Sequence, residues 1–229
     1  MSDASAPPEA AGPSGPEPWD GPAFDAAAFR TRVGASEAQM ADLQAFLALL
    51  TEWNANMNLV GPSALAEFWG RHAYDSAQLL ALAPEALTWA DLGAGAGFPG
   101  LVLAILLKGR PGAQVHLIDS LAKRCRFLSE VVQRLDLPAQ VHNGRAESLS
   151  LKVDVVCARA LAPMEKLLGY AWPYLKAGAQ GLFLKGQDVE VELQAAAIYW
   201  KLDVQLAQSL SHPGGRVVQV KRAVRVASR

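Results

Sequence analysis

Trp89-Ala90-Asp91-Leu92-Gly93-Ala94-Gly95-Ala96-Gly97-Phe98-Pro99-Gly100 decides how this chain is read. An apolar run, Ala86 to Ala90, ends in the acid Asp91, a glycine-dense stretch follows, and Leu101 to Leu107 is again apolar. The pattern predicts strand, loop and helix. Glycine tolerates positive φ and leaves room where a Cβ would collide with a ligand. The start of a helix adds N–H groups that have no partner within it. The loop is therefore suited to close approach of a nucleotide-like ligand to backbone.

Two ligands compete for it. Gly95-Ala96-Gly97-Phe98-Pro99-Gly100 satisfies the GxGxxG dinucleotide pattern. A pyrophosphate, however, is repelled by a carboxylate at the strand tip, where Asp91 stands, whereas an ammonium group is attracted. S-adenosylmethionine (SAM) carries an ammonium, a sulfonium and an adenosine, and no phosphate. A second run, Gln114-Val115-His116-Leu117-Ile118-Asp119, ends in another acid placed to accept from ribose hydroxyls. Asp91 and Asp119 around one glycine turn favour SAM over a nicotinamide dinucleotide. Gly93 and Gly95 are expected beside its methionine half, with Phe98 closing over it or opening the core helix.

Outward from this loop, strands are expected near 87–91, 114–119, 139–143, 153–158, 180–185, 202–208 and 216–224, and helices near 99–108, 121–135, 163–175 and 187–199. Such alternation predicts an α/β, Rossmann-like fold with a mostly parallel seven-stranded sheet. Pro213-Gly214-Gly215 reads as a hairpin turn that makes the last strand antiparallel. Upstream, Ser36 and Gln39 suggest a capping box, and Met40, Leu43, Phe46, Leu47 and Leu50 keep helical spacing. A second helical stretch is expected from Ser63 to Leu82. The expected organisation is a disordered Pro/Ala-rich tail over 1–30, a helical appendage over 31–84 and the ligand-binding core over 85–229.

The 229 residues carry a formal net charge of −1, but it is unevenly spread. Residues 1–30 hold five acids and one base, residues 108–166 ten bases and six acids, and the last 29 residues six bases and one acid. A basic surface of this extent suits a phosphate backbone, and an ordinary solvated face is the plain alternative. No apolar run has membrane-spanning length, and no secretory leader is recognisable. The two cysteines, Cys125 and Cys157, offer neither a disulfide framework nor metal-ligand spacing, so a cytoplasmic setting without metal is expected.

Several segments together resemble the bacterial small-subunit ribosomal RNA methyltransferase G (RsmG, GidB) family. They are Trp53-Asn54 with Asn58-Leu59, Arg71-His72 with Asp75-Ser76, and the glycine loop. Leu117-Ile118-Asp119-Ser120-Leu121-Ala122-Lys123-Arg124, Gly144-Arg145-Ala146-Glu147, Ala158-Arg159-Ala160 and Leu184-Lys185-Gly186 complete the set. The resemblance implies a class I SAM-dependent methyltransferase acting on N7 of a guanine in 16S rRNA, at RNA position 527, in the small ribosomal subunit. It implies cofactor contacts at Asp91, Gly93, Gly95, Phe98, Asp119, Ala146, Glu147 and Arg159. Arg159 follows the fourth strand, near the methyl group or the target. Arg71, His72, Lys123, Arg124, Arg145 and Lys185 are RNA-contact candidates. Arg71 with Asp75 could equally be an i,i+4 ion pair, and His72 a structural histidine. Arg126 beside Lys123 and Arg124 could meet phosphate or snorkel over the core.

The chemistry implied needs little acid–base machinery. Guanine N7 offers an in-plane lone pair, and no proton leaves on methylation. No catalytic acid or base is therefore expected, only positioning, with Arg159 the candidate. Cys157 lacks the Pro-Cys or Thr-Cys pair of cytosine-C5 enzymes, and Arg159-Ala160-Leu161-Ala162-Pro163 replaces the Asn/Asp-Pro-Pro-aromatic turn of amino-group enzymes. One departure is Gly214-Gly215-Arg216, where the family's last strand begins Arg-His. Monomeric action is expected. A SAM methyltransferase of another substrate, a nicotinamide-dependent oxidoreductase and a non-catalytic RNA-binding module remain as alternatives.

Overall fold

The computed structural model describes residues 24–226. Residues 1–23 of the expected tail lie outside the described residues. The end of that tail is corrected. Asp25 accepts from the Ala28 N–H at 2.8 Å and opens helix α1 (Ala26–Val33). Phe29, fully buried, packs against Trp69. One aromatic in an alanine-rich run carries no period to announce it.

Ser36 and Gln39 form the capping box that starts α2 (Glu37–Met57), with Ser36 Oγ accepting at 3.2 Å and Gln39 Oε1 at 2.9 Å. The stretch expected as one helix from Ser63 to Leu82 is three pieces. They are α3 (Pro62–Ala66), a π-helix (Phe68–Tyr74) and α4 (Asp75–Leu82). The wider π turn re-phases the side chains that follow it.

Seven strands form one sheet of order β3-β2-β1-β4-β5-β7-β6. They are β1 (Thr88–Leu92), β2 (Gln114–Asp119), β3 (Ala139–Asn143), β4 (Val155–Arg159), β5 (Gln180–Lys185), β6 (Trp200–Gln208) and β7 (Arg216–Arg225). Neighbours pair in parallel except β7, which is antiparallel to both β5 and β6, as the hairpin turn predicts. Period-2 alternation splits the apolar side chains between two cores. Trp89, Leu117 and Cys157 face one, with α5 (Gly100–Leu107) and α6 (Ala122–Arg134). Ala90, Ile118 and Val156 face the other, with α7 (Met164–Lys176) and α8 (Val189–Ala196).

The appendage shares the first of these cores. All eight residues of α5 are buried, which explains why it is apolar on every side. Phe46 of α2 sits with ring centroids 5.6 Å from Phe68, 5.4 Å from Phe98 and 6.4 Å from Phe127, joining appendage to core. Phe46→Ala is expected to lower unfolding stability by about 3–5 kcal/mol in urea titrations. A loss below about 1 kcal/mol would show that the appendage is energetically peripheral.

The chain steps from β1 to β2 and β3 on one side, then returns to β4 on the other. The reversal opens a crevice at the carboxyl ends of β1 and β4.

Candidate cofactor and target site

Asp91 ends fully buried on β1, and its Oδ2 accepts from the Gly100 N–H at 2.8 Å. That bond fixes the start of α5 beneath the strand tip. Burial pushes the Asp91 carboxyl up to about 7, against the Gly100 hydrogen bond and with help from the Asp119 charge. Its Oδ1 is buried without a hydrogen-bond partner. Asp119 ends β2 with Oδ2 accepting from the Gly95 N–H at 3.0 Å and Oδ1 accepting from the Leu121 N–H at 2.8 Å. Arg124 Nη1 lies 3.5 Å from Asp119 Oδ2. Each carboxylate oxygen keeps a second lone pair for a ligand hydroxyl.

A cavity of about 380 Å³ opens over Asp119 and Arg124. Gly93, Asp119, Ala146 and Glu147 line it, as do Arg124, Arg145, Leu161 and Tyr170. A Cβ on Gly93, which sits at φ +69°, would come within 2.6 Å of Leu161 Cδ1. The Ala146 carbonyl accepts from Tyr174 Oη at 2.9 Å, so the short 3₁₀ turn Ala146–Ser148 is anchored to α7. Burial, then the nearby Glu147, raises the Tyr174 phenol to about 12, keeping it a donor. The residues fit SAM. An orphaned carboxylate oxygen suits an ammonium, Asp119 suits a ribose diol, and a glycine edge suits the methionine chain.

A second cavity, of about 420 Å³, adjoins the first at Ala160, which lines both and holds φ +51°. Arg71, Asp75, Arg159, Lys185, Ser209 and Ser211 are among its walls. Each of its lysine and arginine side chains stands near an acid. Arg71 Nε lies 3.7 Å from Glu67 Oε2, Arg159 Nε lies 3.7 Å from Asp75 Oδ2, and Lys185 is bound to Glu192. The i,i+4 partner of Arg71 is thus Glu67, and Asp75 turns to Arg159.

Between the cavities and the core, His72 stacks on Phe98 with centroids 4.8 Å apart, and the Arg159 guanidinium lies 5.9 Å from the same ring. Burial, then Arg159 and Arg71, lowers His72 to about 4, so the imidazole is neutral at physiological pH. Burial also lowers Arg159, which Asp75 counteracts. Among the described residues, His72 Nδ1, Asp91 Oδ1 and Arg159 Nη1 are the buried side-chain polar atoms without a partner.

The expected residues therefore fall into groups. Gly93, Asp119, Ala146 and Glu147 meet at one cavity, with Asp91 and Gly95 behind them as supports. Phe98 is buried against His72 and Phe46 and lines neither cavity. Arg159 faces the second cavity rather than the first. Arg124 and Arg145 line the first cavity, Lys123 is exposed on α6, and Arg126 is exposed in a shallow groove near Trp53. Lys185 turns inward, donating to the Ala162 carbonyl at 3.0 Å. The sequence reading missed Leu161, Tyr170, Tyr174, Ser209 and Ser211. Their roles arise from contacts across the chain, and no local spacing marks them. Among the described residues, no cluster of three or more metal-ligating side chains occurs and no helix is long and apolar enough to cross a membrane.

Comparison with known proteins bears on the fold and the family. Cofactor-bound Rv0187 from MTB is similar in fold, with a TM-score of 0.56 at 17% identity, covering 89% of this chain and 99% of that one. A variant of MtNAS in complex with S-adenosylmethionine gives 0.54 at 14% identity, over 87% and 84%. These likenesses establish the class I SAM methyltransferase fold. Ribosomal RNA small subunit methyltransferase G of Caulobacter vibrioides is 64% identical over 203 residues, covering 89% of this chain and 94% of its own. The protein of that name from Bradyrhizobium sp. (strain ORS 278) is 49% identical over 182 residues, covering 78% and 82%. The family model described as rRNA small subunit methyltransferase G matches residues 39–219. With both carboxylates and the glycine turn in place inside that match, the chain belongs to the rRNA small subunit methyltransferase G family.

Proposed function

We propose that this protein transfers a methyl group from SAM to N7 of a guanine in 16S rRNA, the guanine at position 527. The observation that carries the reading is the pair of cavities meeting at Ala160, one walled by Asp119 and Gly93 and the other by Arg159. When bound, SAM supplies an activated methyl group on a sulfonium. From behind the glycine turn the Asp91 carboxylate draws the ammonium end by its charge, and Asp119 holds the ribose. Ala146 and Glu147 border the adenine, and Leu161 and Ala160 form the partition beside the reacting centre. The guanine, splayed from its loop, enters the second cavity. The chain aligns the two reactants and excludes water, which suffices where no proton must leave. Arg71, Lys123 and Arg145 are exposed to meet phosphates. In this reading the protein works as a monomer in the cytoplasm.

The purified protein, methyl-labelled SAM and small ribosomal subunits lacking the modification provide the test. The label should be recovered as 7-methylguanosine after digestion to nucleosides. Recovery in a different nucleoside would reject the target atom, and tight binding of NADH in place of SAM would reject the cofactor.

Asp91 adds a pH signature. Burial raises its carboxyl in the folded protein, so ionising it costs stability. That contribution falls as pH rises from about 3.8 to about 7. An ammonium ligand needs the ionised form, so SAM affinity should rise through the same window. It should weaken again above about pH 8, where an α-amino group deprotonates. Calorimetry at pH 5.5, 7.5 and 9 reads this. A flat profile would mean that Asp91 does not hold the ammonium.

A further inference from the structure

Asp75 has no assigned role, yet its carboxylate joins three distant parts of the chain. Oδ1 accepts from Gln78 Nε2 at 2.8 Å, Ser209 Oγ at 3.1 Å and Ser211 Oγ at 2.6 Å. Oδ2 faces Arg159 Nε at 3.7 Å. The side chain is 14% exposed and stands in the wall of the second cavity. Gln78 Oε1 in turn accepts from the Leu210 N–H at 2.9 Å, so α4, the tip of β4 and the β6–β7 turn close into one clasp.

Building on the methyl-transfer reading, we propose that Asp75 is a positioning residue. It holds Arg159 and the β6–β7 turn in register and cancels the arginine's charge beside a base that becomes cationic. In the transfer the carbon–sulfur bond breaks as the N7–carbon bond forms. The N7 lone pair makes the new bond, the old bonding pair stays on sulfur, and the positive charge passes to the base. No proton moves. An uncompensated guanidinium next to that base would oppose the reaction. The lysine and arginine side chains of this cavity are matched by Glu67, Asp75 and Glu192, and His72, which lies behind the wall against Phe98, is held neutral. The wall is arranged to receive positive charge rather than to repel it. Of the three pairs, Asp75–Arg159 alone joins the β4 tip beside Ala160, which is why Asp75 is the residue singled out.

Asp75→Asn keeps the shape and an acceptor for the three Oδ1 bonds while removing the charge. The single-turnover rate at saturating SAM and small subunits should fall about 100-fold. The SAM dissociation constant should stay within about 3-fold of the parent. In an Arg159→Met background the same substitution should cost no more than about 3-fold. Equal costs in both backgrounds, or a single-variant rate within about 3-fold of the parent, would overturn the proposal. Nucleotide titrations followed by NMR give a readout independent of turnover. Asp75→Asn should weaken 7-methylguanosine monophosphate about 10-fold while changing guanosine monophosphate by less than about 3-fold. Equal changes would again overturn it. Should the asparagine variant fail to fold, Asp75→Glu, which keeps the charge, should retain a rate within about 10-fold of the parent, and a lower rate counts against the proposal. A parent protein that never methylates guanine N7 refutes the function reading instead, and the nucleotide titrations still decide the role of Asp75.

Discussion

Asp119→Ala is expected to weaken SAM binding by about 100-fold or more, and Asp119→Asn to do nearly the same. The first outcome follows from the loss of a charged acceptor for the ribose, each such hydrogen bond being worth about 1.5–3 kcal/mol. The second follows from geometry. Both carboxylate oxygens already accept backbone N–H groups, Gly95 on Oδ2 and Leu121 on Oδ1. An amide turns one of those acceptors into a donor, so a donor faces a donor whichever way it is flipped. Arg124 also loses its partner. Calorimetry with SAM measures the affinity, and denaturant titration should show a stability loss of about 2–3 kcal/mol. An asparagine variant that binds SAM as the parent does would remove Asp119 from the ribose site.

Gly100→Ala is expected to be far more damaging than Gly95→Ala in the same glycine loop. A Cβ there would lie 2.6 Å from Asp91 Oδ2 and 2.9 Å from Asp91 Cβ, and still closer to the Leu117 side chain. The site is buried beneath the β1 tip, so α5 must move off the sheet and lengthen the Gly100–Asp91 hydrogen bond. Overpacking of this kind costs about 3 kcal/mol or more where backbone cannot shift. SAM affinity should collapse with it, because Asp91 loses the bond that holds its carboxylate. Gly95→Ala is the control. Gly95 has φ +55° but only the Gly93 carbonyl, 3.6 Å away, near a Cβ. Its stability cost should be about 1–2 kcal/mol, the left-handed penalty alone. Thermal melts of both variants decide the ranking, and equal losses would contradict it.

These two glycines show how far local pattern reaches. The strand, loop and helix around Asp91 were legible because a buried parallel strand, a glycine turn and an all-apolar helix each have a local signature. The antiparallel last strand was legible from Pro213-Gly214-Gly215. Which glycine serves the fold and which leaves room for a ligand was not, since that depends on Leu117 and Leu161 arriving from elsewhere. The π-helix at Phe68–Tyr74 was read as ordinary helix because no residue type in Phe68–Tyr74 marks a wide turn. Arg71 pairs one helical step back, with Glu67 rather than Asp75, and Asp75 turns to Arg159, a partner far away in sequence that no local spacing marks. Lys185 and His72 were RNA-contact candidates on the family resemblance, with a structural histidine as the alternative for His72. Both face inward, one toward Glu192 and the other onto Phe98. Charge type is visible in a sequence, whereas the partner that consumes the charge is set by the fold.

Mapping N7-methylguanine along 16S rRNA, by borohydride and aniline cleavage, tests the central claim most directly. RNA from cells lacking this gene should lose cleavage at the guanine at position 527 and at no other guanine. The parent gene should restore it, and the Asp119→Ala allele should not. An unchanged cleavage map in the deleted strain would contradict the assignment of this protein to that methyl group.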